Sequence, residues 1–201
     1  MMRHTLPHAE PGQRIGLLGG SFDPPHAGHV HITRLALQRF HLDRVWWLVS
    51  PGNPLKPDGP AAFGRRMEAS RAMLADPRVE VSDLEMQFGT RYTAETLAHL
   101  RQRYRGVRFV WLMGADNLAG FHRWQDWRSI FQAVPIGVLA RPGNVIAAGL
   151  SPAARVYADA RLSPARAGIL PLCPAPRWCL VAGPTVKLSS TAIRNRGEWN
   201  Q

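Results

Sequence analysis

The side chains best suited to phosphate chemistry are two histidines three residues apart, His26 and His29. They lie in Gly19-Gly20-Ser21-Phe22-Asp23-Pro24-Pro25-His26-Ala27-Gly28-His29-Val30. An imidazole can donate N–H bonds to phosphoryl oxygens, and more strongly when it is cationic. Spaced by three, both rings share a face of a first helical turn. Gly19 and Gly20 permit a positive φ and a close approach of backbone to ligand. Ser21 and Phe22 follow them, and Pro24 and Pro25 stiffen the entry. The apolar run Ile15–Leu18 precedes this stretch and the amphipathic run Val30–Phe40 follows it, which reads as strand, glycine turn and helix start. A helix N-terminus offers unpaired N–H groups and the positive end of the dipole. The pattern predicts two imidazoles aimed at an anion above that terminus. An ordinary surface turn would explain neither histidine.

A second anion-ready stretch lies near the other end of the chain. Ser189, Ser190 and Thr191 present hydroxyls at the start of a short helix, and Arg194 adds a guanidinium fork one turn on. Alone, this would be a helix cap with an exposed arginine. Beside a two-histidine turn it suits a further anion contact. Between the two, Ser50–Pro60 holds four prolines and two glycines, which exclude regular structure. Lys56 sits among those prolines after a strand's carboxyl end and is placed to contact an anion.

These groups must be positioned by strands and helices in alternation. Val45–Val49, Phe109–Met113 and Val134–Leu139 are short apolar runs, read as buried parallel strands, with a further short strand at Arg78–Val81. Late strands are expected at Ile169–Leu172 and Trp178–Val181. Helices are expected at 30–40, over Phe63–Leu74 with Met67, Ser70, Arg71 and Leu74 on one face, and from Thr93, a natural N-cap, with Leu97, Leu100 and Tyr104 inward. Trp127, Ile130 and Phe131 have core spacing, whereas Trp124 lies in a polar stretch that core packing explains less easily. Gly114-Ala115-Asp116 is another strand-to-helix turn, and 144–167 is an Ala/Pro/Arg-rich excursion containing a helix. The fold class expected is α/β: a doubly wound, Rossmann-like parallel sheet in a single domain, with ligands at the strands' carboxyl ends.

The length of 201 residues suits one such domain. A net charge of +11, from 25 Lys and Arg against 14 Asp and Glu, favours acidic ligands. The basic residues are dispersed, with no interleaved aromatic platform and no helix-turn-helix or zinc signature, so nucleic acid is not the expected partner. Residues 1–13 are polar and are expected to form a disordered extension. No run approaches the roughly 20 apolar residues of a membrane span, and a soluble, cytoplasmic protein is expected. Cys173 and Cys179 are spaced for neither a C-x-x-C pair nor a zinc quartet, so reduced thiols are expected.

Gly20-x-Phe22-x-x-x-His26-x-Gly28-His29 resembles the signature of nucleotidyltransferases that carry an H-x-G-H box. Together with Ser189-Ser190-Thr191-Ala192-Ile193-Arg194, it resembles bacterial nicotinate-nucleotide adenylyltransferases from about Arg14 to Arg194. The resemblance implies a nucleotidyltransferase domain over 14–201 that transfers the adenylyl group of ATP to nicotinate mononucleotide and releases pyrophosphate. It places His26 on the ATP phosphates and His29 on the α-phosphate in the transition state. Gly19, Gly20, Ser21, Phe22, Ser189, Ser190, Thr191 and Arg194 would complete the ATP site. Lys56, Thr93, Asp116 and Trp124 would hold the acceptor, with Trp124 stacked on the pyridine ring and N–H groups near 89–93 on its carboxylate. Mg²⁺ would ride on the triphosphate without a dedicated cage. Another acceptor or donor, such as nicotinamide mononucleotide, phosphopantetheine or a cytidylyl donor, is the alternative. Monomer and homo-oligomer are both left open. In that family the chain usually continues past the arginine into a further helix; here Gln201 follows soon after Arg194.

Overall fold

The computed structural model describes residues 6–52, 59–140, 145–183 and 190–199. In chain order these form β1 (Arg14–Gly20), α1 (Ala27–Arg39), β2 (Arg44–Val49), α2 (Phe63–Ala72), β3 (Val79–Ser82), α3 (Leu84–Phe88), α4 (Thr93–Arg103), β4 (Arg108–Gly114) and α5 (Ala115–Gly120). Then come α6 (Trp127–Ala133), β5 (Ile136–Ala140), α7 (Val145–Gly149), α8 (Pro152–Val156), β6 (Arg161–Leu162), β7 (Trp178–Ala182) and α9 (Ser190–Asn195).

The seven strands make one sheet in the order β3-β2-β1-β4-β5-β7-β6, and every pairing is parallel. Apolar runs bury both faces of such a sheet, and the pleat deals successive side chains to opposite layers. Ile15, Leu17, Trp46, Leu48, Trp111 and Met113 pack into one layer with Leu97, Leu100, Phe121, Ile130 and Phe131. Leu18, Val45, Trp47, Val49, Val110 and Leu112 pack into the other with Ala36, Leu37 and Phe40. The chain runs outward from β1 through β2 to β3, then crosses back to β4 on the far side of β1. The topological switch point therefore lies between β1 and β4, the place where open α/β sheets bind ligands, at the strands' carboxyl ends. The H-x-G-H stretch follows β1 and the Asp116 turn follows β4.

Several expectations are corrected. Residues 6–13 are not a disordered extension: Pro7 is buried, its carbonyl accepts the Tyr104 hydroxyl at 2.8 Å, and Gly12 N–H donates to the Gly106 carbonyl at 2.8 Å. The expected strand at Ile169–Leu172 is instead part of a 3-10 stretch, Pro164–Leu172, that packs on β7. Pro164 and Pro171 deny it the ladder donors a strand needs. The excursion at 144–167 holds two short helices, α7 and α8, and the edge strand β6. In α2 the buried face is Arg66, Met67 and Ser70, and Arg71 points outward. Both cysteines are free, as expected, and burial pushes the Cys179 thiol up to about 11. Among the described residues no helix is long and apolar enough to cross a membrane.

Candidate active site

Gly19 and Gly20 end β1 in extended backbone rather than forming a left-handed turn. Gly19 is needed for space, because a Cβ there would lie 2.5 Å from the Trp111 ring on β4. The left-handed residue is Phe22, with φ 47°. A bulky side chain in that region is strained, and here packing over-determines it. The Phe22 ring stacks on Trp47 at 4.8 Å and tilts against His29 at 4.8 Å.

His26 is the N-cap of α1 rather than a residue of its first turn, and His29 stands at the third helical position. His26 Nδ1 accepts the Gly28 N–H at 3.1 Å, and His29 Nδ1 accepts the His26 N–H at 3.1 Å. This is a capping box built from imidazoles in place of the usual hydroxyl and carboxylate. A ring nitrogen that accepts a hydrogen bond carries no proton, so each neutral ring bears its hydrogen on Nε2. The rings lie 4.0 Å apart. The first turn of α1 has no acidic residue to offset the positive end of its dipole. Thr33 fastens this helix to β2: its hydroxyl donates to the His29 carbonyl and accepts the Trp47 indole N–H, both at 2.8 Å.

The far end of the chain docks on the same turn. Ser190 Oγ donates to the Pro24 carbonyl at 2.8 Å, Arg194 donates to the Asp23 carbonyl, and Arg194 Nη2 donates to Thr191 Oγ1 at 3.3 Å. Ser190, Thr191 and Arg194 are thus brought to the histidine turn. Ser189 and Lys56 lie outside the described residues.

Trp124 is half-buried against Phe121 at 5.0 Å and Trp111 at 6.4 Å. Trp111 in turn packs beside Gly19, so an unbroken chain of contacts joins Trp124 to the end of β1, just before the histidine turn. Asp116 is exposed in the first turn of α5, and its Oδ1 occupies the space that a Cβ at Gly114 would fill.

Thr93 is the first residue of α4, and its N-cap is Tyr92, which gives no side-chain cap bond. The loop before it is more committed than its sequence suggests. Gly89, at φ 66°, closes α3, and the N–H groups of Gly89 and Thr90 donate to the carbonyls of Met86 and Glu85. Arg91 N–H faces Glu95 Oε2 at 3.5 Å. Tyr92 and Thr93 stand at the amino end of α4, where main-chain N–H groups point out of the helix.

Two residues of this region carry no motif. Arg66 on α2 is 1% exposed, and its guanidinium donates to the carbonyls of Ala61 (2.8 Å), Ser21 (2.7 Å), Ser50 (2.8 Å) and Pro51 (3.3 Å). It ties the turn after β1 to the loop after β2. Burial lowers its pKa, opposed by the nearby Asp23 carboxylate. Glu85 on α3 is buried, and burial pushes its carboxyl up to about 7. The only sequence signal for either was a charged residue at an inward helical position. Among the described residues, no group of three or more His, Cys, Asp or Glu side chains could hold a metal ion.

The cytidylyltransferase-like family matches residues 17–196. A Ruegeria pomeroyi protein named "Probable nicotinate-nucleotide adenylyltransferase" is 62% identical over 199 residues, which is 99% of this chain and 93% of that protein. A Cereibacter sphaeroides protein of the same name is 64% identical over 185 residues, 92% of this chain and 98% of its own length. The fold is similar to that of Plasmodium falciparum nicotinic acid mononucleotide adenylyltransferase complexed with NaAD, with a TM-score of 0.71 at 14% identity over 91% of this chain and 83% of that one. A capping box of two imidazoles at the β1 switch point, in a chain that matches these proteins along nearly its whole length, makes this a member of the cytidylyltransferase-like family and, within it, of the nicotinate-nucleotide adenylyltransferases.

Proposed function

We infer that the chain transfers the adenylyl group of ATP to nicotinate mononucleotide, giving nicotinate adenine dinucleotide and pyrophosphate in NAD biosynthesis. The observation that carries this reading is the pair of imidazoles at the amino end of α1 whose Nδ1 atoms both accept backbone N–H groups, which leaves the hydrogen of each neutral ring on Nε2. The mononucleotide phosphate attacks the α-phosphorus, the bond to the β-phosphate oxygen breaks, and negative charge spreads over the phosphoryl oxygens. The protein has little covalent work in such a transfer; it aligns the groups and meets the developing charge. His29 would donate from Nε2 to the α-phosphate as charge grows, and His26 would hold the phosphates from the cap position. Donors locked by backbone hydrogen bonds need no reorganisation at that moment.

Gly19, Gly20, Ser21 and Phe22 would form the floor of the ATP site. Ser190, Thr191 and Arg194, with Ser189, would take the outer phosphates. Trp124 would stack on the pyridine, and the Tyr92 and Thr93 N–H groups would hold its carboxylate. Asp116 would meet a ribose hydroxyl, and Lys56 an acceptor phosphate. With no acidic cluster among the described residues to cage an ion, Mg²⁺ would arrive as part of the ATP complex and screen the triphosphate. A cytoplasmic location belongs to the same proposal.

Pyrophosphate release with ATP and a panel of phosphate acceptors tests the reading. Turnover with nicotinate mononucleotide is expected. Turnover with phosphopantetheine alone would overturn the acceptor, and no turnover with ATP would overturn the donor.

A further inference from the structure

Asp23 is 4% exposed, inside the turn that carries the histidines, yet adenylyl transfer assigns it no step. Its Oδ1 accepts the Ala61 N–H at 3.3 Å and the Trp199 indole N–H at 2.7 Å. Its Oδ2 lies 3.6 Å from Arg194 Nη1, the same nitrogen that donates to the Asp23 carbonyl. Trp199 is itself held, with the Arg65 guanidinium 4.0 Å above its ring. A buried carboxylate with fixed partners on both oxygens is a rigid anchor.

The guanidinium is planar and offers five N–H donors in one fork. The Asp23 carbonyl and carboxylate engage Nη1, and Thr191 Oγ1 engages Nη2. With Nη1 and Nη2 both fixed, planarity fixes the direction of Nε–H and of the remaining donors. A side chain that otherwise carries large rotamer entropy is thereby ordered before ligand arrives.

We propose that Asp23 is a positioning residue for Arg194: its carboxylate, steadied by Ala61 and the Trp199 indole, holds the guanidinium fork at the phosphate turn so that it meets the triphosphate of ATP already ordered. The proposal rests on the reading of Arg194 as an ATP-phosphate ligand. Asp23 acts through Arg194 and touches no reacting atom. Trp199, beyond the last helix, becomes a contributor to ATP affinity without contacting ATP.

The test is a double-mutant cycle read by steady-state KM for each substrate. Asp23→Asn keeps an Oδ1 acceptor for Ala61 and Trp199 and removes the charge facing Arg194. It is expected to raise the ATP KM about tenfold through loss of the ion pair between Oδ2 and Arg194 Nη1, and to leave the acceptor KM within about twofold. Arg194→Ala is expected to raise the ATP KM at least as much, and Asp23→Asn added to it is expected to change nothing further, because coupled residues are not additive. Effects of Asp23→Asn and Arg194→Ala that multiply would show a merely structural role and overturn the proposal. An Asp23→Asn ATP KM equal to wild type would do the same. Should Asp23→Asn not fold, Trp199→Phe, which keeps a ring for Arg65 and loses the N–H, carries the same cycle with a smaller expected rise. An Arg194→Ala enzyme with an unchanged ATP KM would instead remove Arg194 from the ATP site, and the proposal with it.

Discussion

Glu85→Gln separates the charge of one buried side chain from its shape. Glu85 on α3 is buried, and its main-chain carbonyl accepts the Thr90 N–H at 2.9 Å, at the root of the Gly89–Thr93 loop. Burial raises its carboxyl from 4.5 to about 7. At about 1.36 kcal/mol for each pH unit, ionising it in the folded protein costs about 3 kcal/mol more than in the unfolded chain. Below pH 4.5 both states keep the proton and the cost is absent. Between pH 4.5 and 7 the folded state binds more protons than the unfolded state, so stability falls as pH rises. Above 7 the loss is complete and constant. Glutamine stays neutral throughout. The stability advantage of Glu85→Gln over wild type, from urea unfolding, should therefore grow by about 2 to 3 kcal/mol between pH 5 and pH 8. A difference independent of pH would show that Glu85 is solvated or ion-paired and refute the argument.

His29→Ala should lower kcat by about a hundredfold or more, the scale of a lost transition-state donor, while ATP binding by titration calorimetry stays near wild type. Arg66→Met should destabilise the fold by about 3 to 5 kcal/mol in urea unfolding, because it leaves four carbonyls without their donor; a loss below about 1 kcal/mol would mean that water replaces the guanidinium without penalty. Trp124→Ala should raise the acceptor KM about threefold to tenfold, the worth of one aromatic stack, with the ATP KM unchanged and Trp124→Phe close to wild type.

The sheet was legible because its central strands are short apolar runs, and a strand buried on both faces shows no other pattern. Trp46 and Trp47 illustrate this: neighbours in sequence, they enter opposite layers, and both positions had to be apolar. The H-x-G-H turn was legible because its residue types leave little other use for them. The roles within it were not. Gly19 looked like a turn residue, but it is glycine because Trp111 from another strand fills the space beside it. Tertiary contact of that kind leaves no local trace. Arg66 was hidden for the same reason: its four acceptors are carbonyls spread from Ser21 to Ala61, and a basic residue on a helix ordinarily reads as exposed. Thr93 misled through a real propensity, since threonine favours N-caps, whereas the chain turns one residue earlier at Tyr92. Residues 6–13 read as polar in sequence, yet they are held in place through Pro7 and Tyr104, a pair 97 residues apart.

Direct competition between nicotinate and nicotinamide mononucleotides at fixed ATP tests adenylyl transfer to a nicotinate acceptor most sharply. In the proposed reading the Tyr92 and Thr93 N–H groups, at the amino end of α4, would hold the acceptor carboxylate, while Glu95 Oε2 accepts the Arg91 N–H. A carboxylate satisfies those donors, whereas an amide turned the wrong way leaves its own NH₂ facing them, a mismatch of about 1 to 3 kcal/mol. Pyrophosphate release should track nicotinate mononucleotide with at least about a tenfold preference in kcat/KM. Equal use of the two, or a preference for the amide, would contradict the account.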